Sequence, residues 1–122
     1  MLRFSLYKEK GDDMSRYVLI ESRNPFESLD CRFVTKTARA LKERGNEVVV
    51  FLVQNGVLAV REKAAGSHLP LLSKAGVALL ADSFSLHERG IHSSELCPGV
   101  QEAGIEALVD LIVSEDAKTI WH

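Results

Sequence analysis

The chain alternates between short apolar runs and stretches whose apolar residues have helical spacing. The apolar runs predict strands at 17–20, 47–53 and 77–81, and two further strands are predicted at 100–103 and 118–121. The run at 47–53 is apolar on both faces, as in a central parallel strand covered by helices. No Asn-Gly or Asp-Gly hairpin joins two strands, so the pattern predicts repeated βαβ units and a parallel sheet with helices on both faces.

Helical spacing predicts helices between these strands, at 28–44, 57–65, 67–75, 83–89 and 104–115. In the first of them Ser28 is a candidate N-cap, and the helix ends at Gly45. Its buried stripe comprises Cys31, Val34, Ala38 and Leu41. Residues 1–16 have mixed charge and no sustained period, which predicts a flexible N-terminal tail before a single domain at 17–122.

Composition excludes several classes of function. The 122 residues include 15 Lys or Arg and 17 Asp or Glu, and a net charge of −2 lacks the basic footprint of a nucleic-acid binder. The longest apolar run, 48–53, is too short to span a membrane, and the N-terminus has no secretory signal pattern. Two cysteines are too few for a disulfide scaffold, so we expect a cytoplasmic protein that binds neither membrane nor nucleic acid.

A site in such a sheet is expected where the strands end. Ligands bind outside the carboxyl ends of parallel strands, and three predicted loops lie there, at 21–27, 54–56 and 82–85. The chain has no GxGxxG, GxxxxGK[ST], CxxC or HExxH motif. The sequence therefore predicts neither a cofactor nor a metal site.

Three segments resemble one known family. They are FLVQNGV at 51–57, the long stretch GVALLADSFSLHERGI at 76–91, and PGV at 98–100 followed by Gly104 and an amphipathic helix. In this order and spacing they resemble the DsrE/DsrF-like family over residues 17–122. The resemblance implies a three-layer α/β/α sandwich, with a mostly parallel sheet of about five strands in a flavodoxin-like winding.

The resemblance also implies an activity and an assembly. Members of this family include sulfur-relay subunits, in which a cysteine at the end of strand three carries sulfur as a persulfide. That position is Asp82 here, and the second cysteine of some members falls at Ser85. The family forms homo-trimers or hexamers, or mixed hexamers with paralogous subunits, and we expect one of these assemblies.

Two cysteines and one carboxylate are the candidates for chemistry. Asp82 is expected to cap the following helix through the Ser85 N–H, to serve as a pocket carboxylate, or both. Cys31 is the candidate catalytic thiol, because a helix N-terminus can make a thiol nucleophilic, although its stripe also suits a buried apolar role. Cys97 is expected to be accessible in a polar loop, 91–99, at the opposite edge of the sheet.

Ligand-binding candidates come from the same loops and from the helix after strand three. Arg89 could bind an anion or pair with Glu88 or another carboxylate. The full set of candidates is Ser22, Arg23, Asn55, Gly56, Asp82, Ser83, Ser85 and Arg89.

Two hypotheses of function remain open at this point. In the first, the protein is related to sulfur-relay subunits but lacks the usual persulfide cysteine, and Cys31 is the thiol to test. In the second, it is a non-catalytic module that binds a small anionic or sulfur-containing ligand, or assembles with a partner, at the strand ends. The fold alone does not decide between them.

Overall fold

The computed structural model describes residues 15–26, 31–61 and 68–122, without the side chain of Cys31. These ranges leave out most of the predicted tail, the predicted N-cap Ser28 and the end of the helix predicted at 57–65. Arg16, the last residue of the predicted tail, is already the first residue of a strand.

Five strands of the described part of the chain form one all-parallel sheet, which confirms the predicted number of strands and their direction. Parallel pairing suits their sequences, because most positions are apolar and helices cover both faces. The strands are β1 Arg16–Glu21, β2 Glu47–Leu52, β3 Ala78–Asp82, β4 Val100–Ala103 and β5 Ala117–Trp121. Their order across the sheet is β4-β3-β2-β1-β5.

In the described ranges, four α-helices and two 3-10 helices connect the strands. The α-helices are α1 Cys31–Glu43, α2 Leu69–Lys74, α3 Ser83–Glu88 and α4 Ile105–Val113, and the 3-10 helices are Gln54–Val60 and Ser93–Glu95. Within the described ranges, none of these helices is both long and apolar enough to cross a bilayer.

The helix predicted at 57–65 is wrong in type and position. The segment is the 3-10 helix Gln54–Val60, and Arg61 is extended and pairs with Leu96 in an isolated antiparallel bridge. Its sequence contains Asn, Gly and two Val residues, all weaker α-helix formers than Ala or Leu. The 3-10 helix, which is more tightly wound than an α-helix, packs Val57 and Val60 against the sheet and buries both side chains completely.

Alternate residues of each strand face two separate cores, which confirms the three-layer architecture. Leu19 of β1 joins the core under α1, α2, α3 and the first 3-10 helix. Its neighbours Val18 and Ile20 join the opposite core, beneath α4. One face of the sheet therefore carries several helices, and α4 is the only described helix on the other.

The winding differs from the flavodoxin order that the resemblance implied. In flavodoxin the order 2-1-3-4-5 places the first strand between the second and the third. Here β1 lies between β2 and β5, because the chain adds β2, β3 and β4 in one direction and then returns through α4. A right-handed return crossover places α4 on the opposite face. Because all the strands are parallel, the carboxyl ends of β1 to β5 share one edge of the sheet.

Candidate functional site

The end of β3 holds a buried carboxylate that makes hydrogen bonds to the start of the following helix. Asp82 is 8% exposed, and its Oδ2 accepts hydrogen bonds from the Ser85 backbone N–H at 2.9 Å and the Ser85 hydroxyl at 2.6 Å. The Ser85 hydroxyl in turn accepts the Gln54 N–H at 2.8 Å. The predicted N-cap of α3 is thus confirmed, and the same contacts tie it to the turn after β2.

Arg89 lies across this turn. Its Nε and Nη2 donate to Asn55 Oδ1 at 3.2 and 3.0 Å, and its Nη1 donates to the Ser85 carbonyl oxygen at 3.2 Å. The expected pairing with Glu88 or another carboxylate is wrong: among the described residues, all hydrogen-bond partners of Arg89 are uncharged. These hydrogen bonds therefore orient the guanidinium, and no described acidic residue contacts it to neutralise its positive charge.

The ends of β1 and β5 hold a second polar group, centred on a carboxylate and an imidazole. Glu21 is 5% exposed, and its Oε1 lies 2.9 Å from Nδ1 of His122. Its other oxygen, Oε2, accepts the Arg23 backbone N–H at 2.9 Å. Both carboxylate oxygens therefore have partners, as a buried charge requires.

Hydrogen bonds to strand ends also fix the backbone of His122. Its N–H donates to the Ile20 carbonyl at 2.8 Å, and its carbonyl accepts the Ser22 N–H and the Ser22 hydroxyl, each at 3.1 Å. On the helix side, the His122 ring lies 5.4 Å from the ring of Phe33, centroid to centroid, in a tilted contact. Because Phe33 is in the first turn of α1, the imidazole lies beside the start of that helix.

Gly56 joins the two polar groups. It is buried, and a Cβ at this position would overlap the backbone carbonyl of Glu21. That carbonyl oxygen also accepts the Val53 N–H at 3.0 Å. The absence of a side chain thus lets the turn after β2 close directly onto the end of β1.

Most predicted ligand-binding residues fall into these two groups. Asn55, Asp82, Ser85 and Arg89 form the first, Ser22 and Arg23 belong to the second, and Gly56 lies between them. Ser83 begins α3, and its side chain makes no hydrogen bond to a described residue. The predicted catalytic residue, Cys31, is the first residue of α1, and its side chain lies outside the described part of the chain.

Sequence reasoning missed Glu21 and His122 as a pair. A signal was available, since each residue comes directly after a strand predicted from the sequence, yet the two residues are 101 positions apart. They come together only because β5 pairs with β1, and the hydrophobic pattern does not predict this order of strands in the sheet.

Cys97 is buried, whereas the sequence predicted an accessible position in a polar loop. It is 5% exposed and packs in the core under α1, and its N–H donates to the Val60 carbonyl at 2.8 Å. The loop nevertheless runs to the edge predicted for it: Gly99 packs against Ser73 just before Val100 opens β4. The thiol is buried because the Arg61–Leu96 bridge holds the preceding segment against the 3-10 helix.

The described ranges hold no cluster of metal-ligating side chains, at the strand ends or elsewhere. No group of three or more His, Cys, Asp or Glu side chains there could hold a metal ion. A cavity of about 180 Å³ lies at the opposite edge of the sheet, where β1 and β2 begin. Its lining residues are Ser15, Arg16, Glu47, Ser114, Glu115 and Asp116.

Comparison with known proteins agrees with the motifs. The ychN protein from E. coli has a similar fold, with a TM-score of 0.80 and 22% identity over 89% of this chain and 100% of that one. MTH1491 from Methanobacterium thermoautotrophicum has a TM-score of 0.75 and 20% identity over 90% and 100%. No curated protein matches the sequence. The model of the DsrE/DsrF-like family matches residues 15–118, and the chain belongs to that family.

Proposed function

We propose that the protein is a sulfur-relay subunit that accepts sulfane sulfur as a persulfide on Cys31, rather than at position 82. Asp82 has no sulfur, and one of its carboxylate oxygens is occupied by the cap of α3. The thiol must therefore come from elsewhere in the chain. A persulfide carrier needs reducing surroundings, so the proposal places the protein in the cytoplasm.

The position of Cys31 at the start of α1 carries this proposal. The helix follows β1, so its first residue belongs to the edge where parallel strands end and ligands bind. A helix N-terminus favours the thiolate, which is the nucleophilic form. Cys97, by contrast, is buried in the core and belongs to a loop that runs to the opposite edge.

Intact-mass spectrometry after incubation with thiosulfate tests the proposal. The wild type and Cys97→Ser are expected to gain the mass of one sulfur atom, reversibly with dithiothreitol, and Cys31→Ser is expected to gain none. Asp82→Cys in the Cys31→Ser background is the positive control, because it returns a thiol to the family's position. Uptake by this control without uptake by the wild type would refute the role of Cys31.

Arg89 favours a second function, the binding of a small anion at the strand ends. Its guanidinium is oriented by Asn55 and by the Ser85 carbonyl, and its contacts with described residues leave the charge uncompensated. Guanidinium groups bind oxyanions well because their donors match the oxygens in pairs. An oxyanion such as sulfite or thiosulfate suits this position.

Removal of the charge at Arg89 is expected to weaken sulfite binding about tenfold or more, since a hydrogen bond to a charged group contributes about 1.5–3 kcal/mol. The measurement is a titration of Arg89→Gln followed by amide chemical shifts. The matched control is Arg61→Gln, because Arg61 already pairs with Glu95 at 3.4 Å. Equal affinity in both variants and the wild type would place the anion elsewhere.

We also propose that copies of this chain associate through α4. The helix exposes a stripe of large apolar side chains, made of Ile105, Val109, Ile112 and Val113. Trp121 of β5 is exposed on the same side of the sheet as α4. Ala117, four residues earlier in β5, faces the core beneath α4, and residues an even number of positions apart in a strand point to the same face. Exposed apolar side chains grouped on one face of a protein are typical of subunit contacts. A second copy or a paralogous subunit would cover it.

A further inference from the structure

We propose that the exposed face at the start of α1 in one copy of the chain packs against α4 of a second copy. This inference rests on the proposed association through α4, and it names the surface that α4 meets. Two different surfaces of the chain take part, so the contact between copies is heterologous.

The charges of the chain are divided between these two surfaces. Residues 32–44, which include most of α1, contain five basic residues and one acidic residue. Residues 100–117, which include α4, contain five acidic residues and neither Lys nor Arg. The two helices cover opposite faces of the sheet, so a chain with a net charge of only −2 has a basic side and an acidic side.

The basic surface begins with Arg32, Phe33 and Lys36, which we call the α1 patch. All three side chains are exposed, whereas Val34 and Ala38 of the same helix are buried in the core. Phe33 is 49% exposed although it is large and apolar. Neither Arg32 nor Lys36 forms an ion pair with another described residue. The α1 patch therefore combines an exposed aromatic ring with two cations that lack an acidic partner in the described ranges.

The apolar stripe of α4 has acidic residues along one side. Glu106 and Asp110 directly follow Ile105 and Val109, and successive residues of an α-helix are turned by about 100°. Both carboxylates are exposed, and neither pairs with a basic residue in the described part of the chain. The stripe and these two carboxylates together form the α4 patch.

The two patches are complementary in polarity and in charge. Phe33 offers the stripe a large apolar surface to cover. The aliphatic stems of Arg32 and Lys36 can lie along the stripe while their charged ends reach the carboxylates beside it. Two copies of α4 packed on each other would bring like charges together, which is unfavourable, whereas contact between α1 and α4 pairs opposite charges.

This contact would also cover part of the strand-end edge. The ring of Phe33 lies 5.4 Å from the ring of His122, which is paired with Glu21. A helix packed on Phe33 therefore lies beside the Glu21–His122 pair. The side chain of His122 is 15% exposed in the single chain, and the second copy would lower that fraction.

Sedimentation velocity on two variants and on their mixture tests the inference. Val109→Asp blocks the α4 patch, and the double substitution Arg32→Glu with Lys36→Glu reverses the charge of the α1 patch. Each variant alone is expected to associate at least about 100-fold more weakly than the wild type and to sediment as one chain of 13.5 kDa. An equimolar mixture is expected to form pairs of chains, because each variant supplies the patch that the other lacks.

Lys74→Glu is the control for the reversal of charge. Lys74 is exposed on α2, on the same side of the sheet as α1 but outside both patches, and this variant is expected to assemble as the wild type does. Wild-type assembly of the α1 double variant, with no pairs in the mixture, would overturn the inference and leave a contact between two α4 helices. A wild type of one chain, or unchanged assembly of Val109→Asp, refutes the underlying association through α4.

The salt dependence of the wild type gives a second reading that needs no variant. In about 1 M NaCl charge interactions reach only about 3 Å, so the attraction between the two patches is screened and association is expected to weaken. A contact between two α4 helices would instead be strengthened, because salt screens the repulsion of their carboxylates. Thermal unfolding identifies any variant that has lost its structure, and in that case the salt dependence decides, with stronger or unchanged association overturning the inference.

Discussion

Replacing Gly56 with alanine is expected to lower the free energy of unfolding by about 2–4 kcal/mol. The new methyl group would overlap the Glu21 carbonyl, which is rigid backbone at the end of β1. To relieve the overlap, the turn after β2 must move away, and the Val53–Glu21 hydrogen bond of 3.0 Å is lost. Urea denaturation followed by circular dichroism measures the change.

Gly45→Ala is the matched control for this substitution. A Cβ on Gly45 meets no atom within 4 Å, so its cost comes only from the positive φ of +88° and is expected to be about 1–2 kcal/mol. Gly56→Ala is expected to be the more destabilised of the two. A stability within about 0.5 kcal/mol of the wild type, the range of an ordinary surface substitution, would show that Gly56 is not confined by β1.

Introducing a charge on α4 is expected to separate the proposed oligomer into single chains. Val109 is 50% exposed and belongs to the apolar stripe of α4. Aspartate there would bury an unpaired charge in the contact, and a cost of about 3 kcal/mol or more weakens association at least about 100-fold. Sedimentation velocity on Val109→Asp is expected to give the mass of one chain, 13.5 kDa, and a multiple of it for the wild type.

Leu71→Asp separates a loss of association from a general effect of surface charge. Leu71 is 53% exposed, almost as much as Val109, but it belongs to α2 on the other side of the sheet. This variant is expected to sediment as the wild type does. Dissociation by Leu71→Asp alone would move the contact to the side of α2, and a wild type of 13.5 kDa would refute self-association.

The strands and the helix cap could be predicted because local sequence determines them. The strand predicted at 47–53 matches β2 to within one residue, since a strand covered on both faces is apolar at nearly every position. Asp82 was predicted as the cap of α3 from its type and its place before the helix, and its contacts with Ser85 confirm this.

Features that depend on strand order or on tertiary contact could not be predicted in this way. The pattern contains βαβ units but does not say on which side of β1 the last strand pairs, so the Glu21–His122 contact was missed. The uncharged partners of Arg89 and the burial of Cys97 have the same origin. Each depends on the 3-10 helix after β2, whose path follows from packing rather than from helical spacing.

The pairing of β5 with β1 has a consequence for how the protein folds. Glu21 and His122 are 101 positions apart, whereas the contact of Arg16 with Glu47, between β1 and β2, spans only 31. Closing the longer loop costs only about 1 kcal/mol more in chain entropy, but such non-local pairings form slowly. We expect β5 to join the sheet late, and as an edge strand it can also detach while β1 to β4 stay paired. Partly folded states with a nearly complete sheet would thus have no assembled Glu21–His122 pair.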